Sequence, residues 1–211
     1  MLDIEVVTKA TASALDIVSV DDLARHMRLS PRLAANATWR ANIEDAIKEV
    51  VDDLDFPGGK LNRCILPRTL KRYMNNLPGR KKGIEGFISL PFPPFISVEA
   101  ITIEGDAPVI VGSSQYKVVS GGLICEIYAG NSGWPDHSAA TRGVSITYKA
   151  GYTEYPPKLK KLVKIMAAHS LENIEATINE PRQMAVNRQV DYGVEYLMAT
   201  LRVPVSYDDW L

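Results

Sequence analysis

The chain has 211 residues, of which 46% are hydrophobic and 23% are charged, which are ordinary proportions for a globular protein. This length allows one domain with a sizeable core, or one domain with long arms. The 24 basic and 25 acidic residues give a formal net charge of −1. That balance disfavours a dedicated nucleic-acid binder, because such proteins usually carry a basic excess.

The cysteines and the N-terminal sequence indicate the cellular compartment in which the chain is made. Cys64 and Cys125 lie among apolar neighbours, and neither has a second cysteine or a histidine at ligand spacing. This pattern favours reduced core thiols over a disulfide or a metal site. The N-terminus carries acidic residues, and no stretch approaches the roughly 20 apolar residues of a membrane span. We therefore expect a chain made in a reducing cytoplasm, with no membrane partner.

The first part of the chain predicts two helices. Ser19 is suited to cap a short helix, because Asp21 and Asp22 follow it in the first turn. The tripeptide at residues 30–32, Ser-Pro-Arg, ends that helix, and a longer helix is predicted over about residues 33–54. The apolar stripe of the longer helix consists of Ile43, Ile47, Val50, Val51 and Leu54.

The middle of the chain predicts short strands over about residues 62–150. Gly121-Gly122 separates two apolar segments and predicts a hairpin. In "FISVEAITI" the apolar alternation changes phase, which predicts a β-bulge near Glu99-Ala100. Pro67 within "RCILPRTLKRYM" predicts an edge strand or a bulge at that point.

The last part of the chain predicts a long helix over about residues 157–176, which starts at Pro157, and then an arm. Because the strands are grouped between helices, we expect an α+β fold. Its parts are an N-terminal helix pair with helices over about residues 19–54, a small antiparallel β-sheet with a hairpin, one long C-terminal helix and an extended C-terminal arm. We expect a single domain over residues 1–179 and the arm over residues 180–211.

The sequence contains no recognisable catalytic or metal-binding motif. His26, His137 and His169 are not at the spacing of a metal-binding pair. The acidic cluster in residues 52–55 is not followed by glycine and glutamate at calcium-loop spacing. We therefore predict that the protein is not an enzyme and has no cofactor and no metal. An enzyme with a dispersed site is the remote alternative.

Two basic clusters are candidate contacts for phosphate or for an acidic partner. The first consists of Arg80, Lys81 and Lys82. The second lies in the first two turns of the C-terminal helix, where the helix dipole disfavours exposed cations by roughly 0.3–1 kcal/mol each. It consists of Lys158, Lys160, Lys161 and Lys164. Solvated surfaces also explain both clusters. A small nucleic-acid-binding regulatory protein that uses both clusters is the alternative function.

The order of these segments resembles the head–tail connector family of long-tailed bacteriophages, also called head-completion or adaptor proteins. "LARHMRL" and "IEDAIKEVVDDL" take the places of the family's short helix and long helix. "ISLPFPPFISVEAITI" is similar to the family's proline-rich strand segment. In family order there follow "YKVVSGGLICEIY", "GWP", "VSITYKAGY" and "YPPKLKKLVKIMAAHSLEN". The resemblance covers about residues 15–202, and related adaptors occur in phage-like gene transfer particles. The acidic stretch "DDLDFPGG" and the arm after Asn179 depart from the family pattern.

The resemblance implies a structural head–tail connector (adaptor) subunit. Such subunits form a ring, commonly twelve-fold, under the portal vertex, complete the DNA-filled head and link it to the tail. The implied partners are the portal protein, the next tail-side connector (a stopper or tail terminator), further copies of the chain, and genomic DNA that passes through the lumen without sequence specificity. The implied location is the head–tail interface of the virion, after assembly in the bacterial host cytoplasm.

The resemblance also implies roles for particular residues. The C-terminal arm is expected to dock on the portal through Arg182, Tyr192, Tyr196, Leu197, Met198, Leu201, Arg202 and Trp210. The two basic clusters are expected at the DNA lumen or against an acidic partner.

Three prolines, Pro91, Pro93 and Pro94, precede the segment that begins at Phe95. Proline fixes φ and lacks a backbone donor, so we expect strand pairing to begin only at Phe95. Uncontrolled edge pairing produces fibres, whereas a closed heterologous contact produces a ring, so such prolines suit a ring subunit. The prolines are also explained as ordinary loop residues with no role in a ring.

Overall fold

The structure is a computed structural model that describes residues 3–79, 86–105, 107–121, 124–131, 133–136, 139–172 and 193–203. It contains helices and antiparallel sheets, which confirms the predicted α+β class. The chain forms two compact units. The β unit comprises Met1–Thr11 and Arg63–Tyr152, and the helical unit comprises Ala12–Asn62 and Thr153–Leu211. The predicted boundary between a domain and an arm, at residue 179, lies outside the described residues.

The β unit contains a five-stranded antiparallel sheet in the order β1-β2-β8-β4-β5. Its strands are β1 (Asp3–Thr8), β2 (Arg68–Met74), β4 (Phe95–Ile103), β5 (Val109–Ile110) and β8 (Val144–Ala150). One face of this sheet supplies much of the unit's core, because Leu70, Ile101, Ile146 and Tyr148 are fully or almost fully buried.

A second sheet of the β unit has three antiparallel strands in the order β3-β7-β6. Its strands are β3 (Phe87–Ser89), β6 (Tyr116–Gly121) and β7 (Ile124–Ala129). The predicted hairpin is confirmed as the β6–β7 pair. Gly121 pairs with Ile124, so this glycine belongs to β6 and not to the turn where it was predicted.

The proline-rich segment carries the chain from the three-stranded sheet to the five-stranded sheet. Strand pairing resumes at Phe95, opposite Ala150, as predicted. The Tyr148 hydroxyl donates to the Pro91 carbonyl (2.9 Å), and the Gly151 amide donates to the Pro94 carbonyl (2.8 Å). Because prolines have carbonyls but no N–H, Pro91 and Pro94 need only donors, and these two groups supply them.

Strand β4 carries the predicted irregularity. Its register against β8 shifts between Val98 and Ala100, which confirms the bulge that the phase change indicates. A second shift, between Phe95 and Ser97, was not predicted.

The strand predicted in "RCILPRTLKRYM" is shorter than that segment. β2 begins at Arg68, directly after the proline, and lies between β1 and β8, so it is not an edge strand. The edge position belongs to β1, which the sequence analysis did not predict. Polar contacts help to hold β1, because Asp3 pairs with the Arg142 guanidinium and Glu5 accepts from the Tyr73 hydroxyl (2.8 Å).

Within the described residues, the helical unit contains the helices α1 (Val20–His26), α2 (Pro31–Ala34), α3 (Ala37–Leu54) and α4 (Pro157–Glu172). Ser19 caps α1 as predicted, and its Oγ accepts from the Asp22 amide (3.1 Å). The long helix does not start near Leu33. Asn36 caps α3 by accepting from the Trp39 amide (3.1 Å), and this competing side-chain acceptor separates α3 from the short α2.

The apolar stripes of α3 and α4 form much of the core of the helical unit. All five predicted stripe residues of α3 are buried. In α4 the buried residues that form this stripe are Leu159, Leu162, Val163, Ala167 and Leu171. Among the described residues, no helix is both long enough and apolar enough to cross a bilayer.

Candidate assembly surfaces

The described part of the predicted arm includes a helical segment at residues 193–201. Leu197 and Leu201 are buried, whereas Tyr196 is 67% exposed. Residues four apart share one helix face, so the two leucines form the inner face of this segment. Tyr196 is an aromatic side chain that remains available to a partner.

Backbone and side-chain hydrogen bonds fix the end of this segment to the residues that follow α3. The Val203 amide donates to the Leu61 carbonyl (3.0 Å), and the Asn62 Nδ2 donates to the Val203 carbonyl (3.2 Å). The Arg202 amide donates to the Met198 carbonyl (2.7 Å), which continues the helical pattern, and the Arg202 side chain is exposed. Met198 is half-buried. Residues 193–203 therefore form part of the folded helical unit.

The second basic cluster lies on α4. Lys158, Lys160 and Lys161 are exposed, and in the described ranges none of them forms an ion pair. Lys164 is half-buried and is near enough to the Asp22 carboxylate of α1 to stabilise its charge. One lysine of this cluster therefore has an acidic neighbour within the chain, and the other three are exposed to solvent.

The carboxylate of Asp22 is the acidic counterpart of this cluster. A hydrogen bond from Ser19 is the main reason that the pKa of Asp22 is lowered, and the charges of Lys164 and Arg25 lower that pKa further. Arg25 also forms an ion pair with Asp22 (3.2 Å). The start of α1 thus combines a helix cap with a small, exposed charge network.

Several predicted site residues lie outside the described residues, so their predicted roles stay predictions. They are Arg80, Lys81 and Lys82 of the first basic cluster, and Arg182, Tyr192 and Trp210 of the arm.

The three-stranded sheet has an exposed face that was not predicted from the sequence. Direct partners in antiparallel strands point to the same side of the sheet, and the register therefore groups one set of side chains. We call this set the small-sheet face: Phe87, Lys117, Val119, Ile124, Glu126 and Tyr128. The opposite side contains Ile88, Cys125 and Ile127, which are buried.

A signal for this face exists in the sequence, in the segment "YKVVSGGLICEIY". Val118 and Val119 are adjacent, and so are Ile124 and Cys125, although strand neighbours point to opposite sides. Both sides of this hairpin must therefore carry apolar side chains. The pattern does not say which of the two sides is covered.

The described residues offer little for catalysis. Within them, no group of three or more His, Cys, Asp or Glu side chains could hold a metal ion. Burial, with a contribution from Glu126, raises the pKa of Cys125 to about 12, so its thiol stays protonated and is a poor nucleophile at neutral pH. Cys64 is also a buried free thiol.

Comparison with known proteins places this fold among the chains of particle necks. No protein-family model and no curated protein matches the sequence. A chain in the neck of an empty gene transfer agent (GTA) particle, computed with C6 symmetry, is 19% identical, with a TM-score of 0.61 over 97% of this chain and 98% of that chain.

Two further structures agree. A chain in the virion of a native GTA particle is 18% identical, with a TM-score of 0.61 over 97% of both chains. A chain in the neck of a native GTA particle, computed with C12 symmetry, is 19% identical, with a TM-score of 0.57 over 98% of both chains. The resemblance to phage-like connectors that the sequence predicts is confirmed as a likeness of fold over almost the whole chain.

Proposed function

We propose that this protein is a non-enzymatic structural subunit of the neck of a phage-like particle, where it connects the head to the tail. The observation that carries this proposal is the fold likeness, which extends over nearly the full length of chains from GTA necks. The order of sequence segments typical of head–tail connectors supports the same function independently.

The finer proposal is an adaptor ring beneath the portal. Two of the similar neck structures were computed with six-fold and twelve-fold symmetry, which supports a subunit that functions in a closed ring. A ring of twelve copies would contact the portal protein on one side and the next tail-side connector on the other, while genomic DNA passes through its lumen. Assembly takes place in the cytoplasm of a bacterial host.

The proposed portal contact uses the C-terminal part of the chain. Leu197 and Leu201 are buried in the helical unit, so they support the segment at residues 193–201. Tyr196 and Arg202 are exposed and are the described side chains best suited to contact the portal. Aromatic and arginine side chains contribute disproportionately to interface energy. Arg182, Tyr192 and Trp210 belong to the same proposed contact.

The three solvent-facing lysines of α4 are the proposed contact for DNA in the lumen or for an acidic surface of a partner. Their position early in a helix is electrostatically unfavourable in the free subunit. An opposing anion would remove that penalty on assembly. Arg80, Lys81 and Lys82 are proposed for the same kind of contact.

Light scattering of the purified chain, alone and mixed with the portal protein of the same particle, tests this function. A connector joins the portal as a ring of defined mass. The variant pair Tyr196→Ser and Arg202→Glu should weaken this association, and a chain that ends at Val203 tests the contribution of residues 204–211 without removing the buried leucines. A wild-type chain that does not bind the portal would falsify the adaptor role.

DNA binding by the isolated chain tests the alternative, a nucleic-acid-binding regulator. The specific observation in its favour is the set of three exposed lysines on α4, which form no ion pair with any described residue. That function requires DNA binding by the isolated chain, with an affinity that falls steeply as salt increases. The connector function predicts only weak, non-specific DNA binding.

A further inference from the structure

The small-sheet face presents a group of apolar side chains to solvent. Phe87 is 48% exposed, Val119 is 44% exposed and Ile124 is 57% exposed. Single exposed apolar residues are normal on a protein surface. These three lie instead on one face of one sheet, together with the half-buried Tyr128, whose ring centroid is 5.6 Å from that of Phe87.

The charges on this face identify the chemistry of what it can contact. Lys117 and Glu126 supply one charge of each sign, and the Tyr128 hydroxyl donates to the Glu126 carboxylate (2.6 Å). A polyanion such as DNA requires an excess of basic groups, which this face does not have. Apolar and aromatic side chains interspersed with one charge of each sign are instead typical of a protein–protein contact.

The size of the face limits how it can be used. Three strands about 4.8 Å apart, with rows of five residues at about 3.4 Å per residue, give an area of roughly 250 Å². A stable interface between two free proteins buries about 800 Å² on each partner. The small-sheet face alone is therefore too small to hold two free copies together. It is sufficient as one part of a contact between copies that another component already holds side by side.

From these observations we infer that the small-sheet face packs against a second copy of this chain, the adjacent subunit of the assembled ring. This inference rests on the proposed function as a ring subunit. The face of one copy would contact a different surface of the next copy, which is the heterologous contact that closes a ring. Because each such contact is weak on its own, a ring built in this way would need the portal as a template.

Portal-dependent assembly of charge variants tests the inference. Ile124→Lys introduces a charge on the face, at the hairpin end of its middle strand β7, at a position exposed enough to tolerate it. We expect at least a tenfold increase in the chain concentration needed for half-maximal ring assembly on the portal. Ile110→Lys is the matched control, because Ile110 is 71% exposed on a strand of the other sheet. This control should assemble within twofold of wild type.

Photo-crosslinking from a benzoylphenylalanine at position 119 identifies the neighbour directly and does not depend on the folding of a charged variant. An adduct with the mass of two copies of this chain, formed only in the assembled state, supports the inference. An adduct with a different tail protein overturns it, as does assembly of Ile124→Lys within twofold of wild type. If the wild-type chain fails to assemble on the portal, the proposed function fails and this inference fails with it.

Discussion

The Val203 amide donates a hydrogen bond to the Leu61 carbonyl at 3.0 Å, which fixes the end of the segment at residues 193–203 to the loop that follows α3. Asn62 reinforces the link through its bond to the Val203 carbonyl. A segment held in this way presents Tyr196 from a defined position. Defined geometry lowers the entropy that must be lost when a contact with a partner forms.

The first prediction concerns the apolar part of this attachment. Leu201→Ala should lower the free energy of unfolding by about 2–4 kcal/mol, because it removes a buried side chain and leaves a cavity. Chemical denaturation monitored by circular dichroism measures the change. Tyr196→Ala is the control and should alter stability by no more than about 0.5 kcal/mol. If both substitutions have the same small effect, the segment at residues 193–201 is not packed in solution as the structure shows.

The second prediction concerns Gly151, whose amide bonds to the Pro94 carbonyl. Its φ of +132° is accessible to glycine and rarely to other residues, and a Cβ there would lie 2.4 Å from the Pro67 Cα. Gly151→Ala should therefore destabilise the β unit by at least ~2 kcal/mol, since neither backbone segment can move independently. Thermal unfolding measures this loss.

Gly105→Ala is the matched control for Gly151→Ala. A Cβ at Gly105 meets no heavy atom within 4 Å and its φ is not positive. This variant should unfold within a few degrees of wild type. Equal melting temperatures for the two variants would contradict the close approach of Gly151 to Pro67.

The third prediction concerns pH. The Ser145 hydroxyl donates to Glu104 (2.6 Å) and, together with Lys71, keeps the pKa of Glu104 below its usual value of 4.5 although burial opposes this. A carboxyl with a depressed pKa in the folded state stabilises the protein fully above pH 4.5, and this contribution is lost as the pH falls through the folded pKa. Ser145→Ala should reduce stability at neutral pH, and its deficit relative to wild type should shrink in acid.

Urea unfolding from about pH 7 to about pH 3 measures that deficit. Glu104→Gln supplies the matched background, because it removes the titrating group. In that background the effect of Ser145→Ala should no longer depend on pH. A deficit that grows in acid would show that the hydrogen bond does not favour the charged form of Glu104.

Features set by neighbours in sequence could be predicted, and features set by distant residues could not. The α3 stripe follows from helical periodicity alone, and the bulge at Glu99-Ala100 follows from a change of phase within one strand. The edge strand β1 was missed because it depends on partners in β2 and on Arg142, far along the chain.

The candidate surfaces show the same limit. The sequence pattern predicted a basic cluster in the first two turns of α4. It did not indicate that Lys164 lies near Asp22 while the other three lysines are exposed to solvent. The resemblance placed Leu197 and Leu201 in an arm that docks on the portal. It could not indicate that the surface covering those leucines belongs to the same chain. Alternation likewise defines two faces of the β6–β7 hairpin without indicating which one is left uncovered.

The last prediction separates stability from assembly at the start of α4. Lys158→Glu replaces an unfavourable cation by a favourable anion in the first turn, so it should raise the free energy of unfolding by about 0.3–1 kcal/mol. If Lys158 faces DNA or an acidic partner, the same substitution should weaken portal-dependent assembly, most strongly at low salt. Lys164→Glu is the control for stability and should destabilise the chain, because it places a carboxylate near Asp22. A Lys158→Glu chain that is more stable and assembles as well as wild type at every salt concentration would remove Lys158 from the proposed contact.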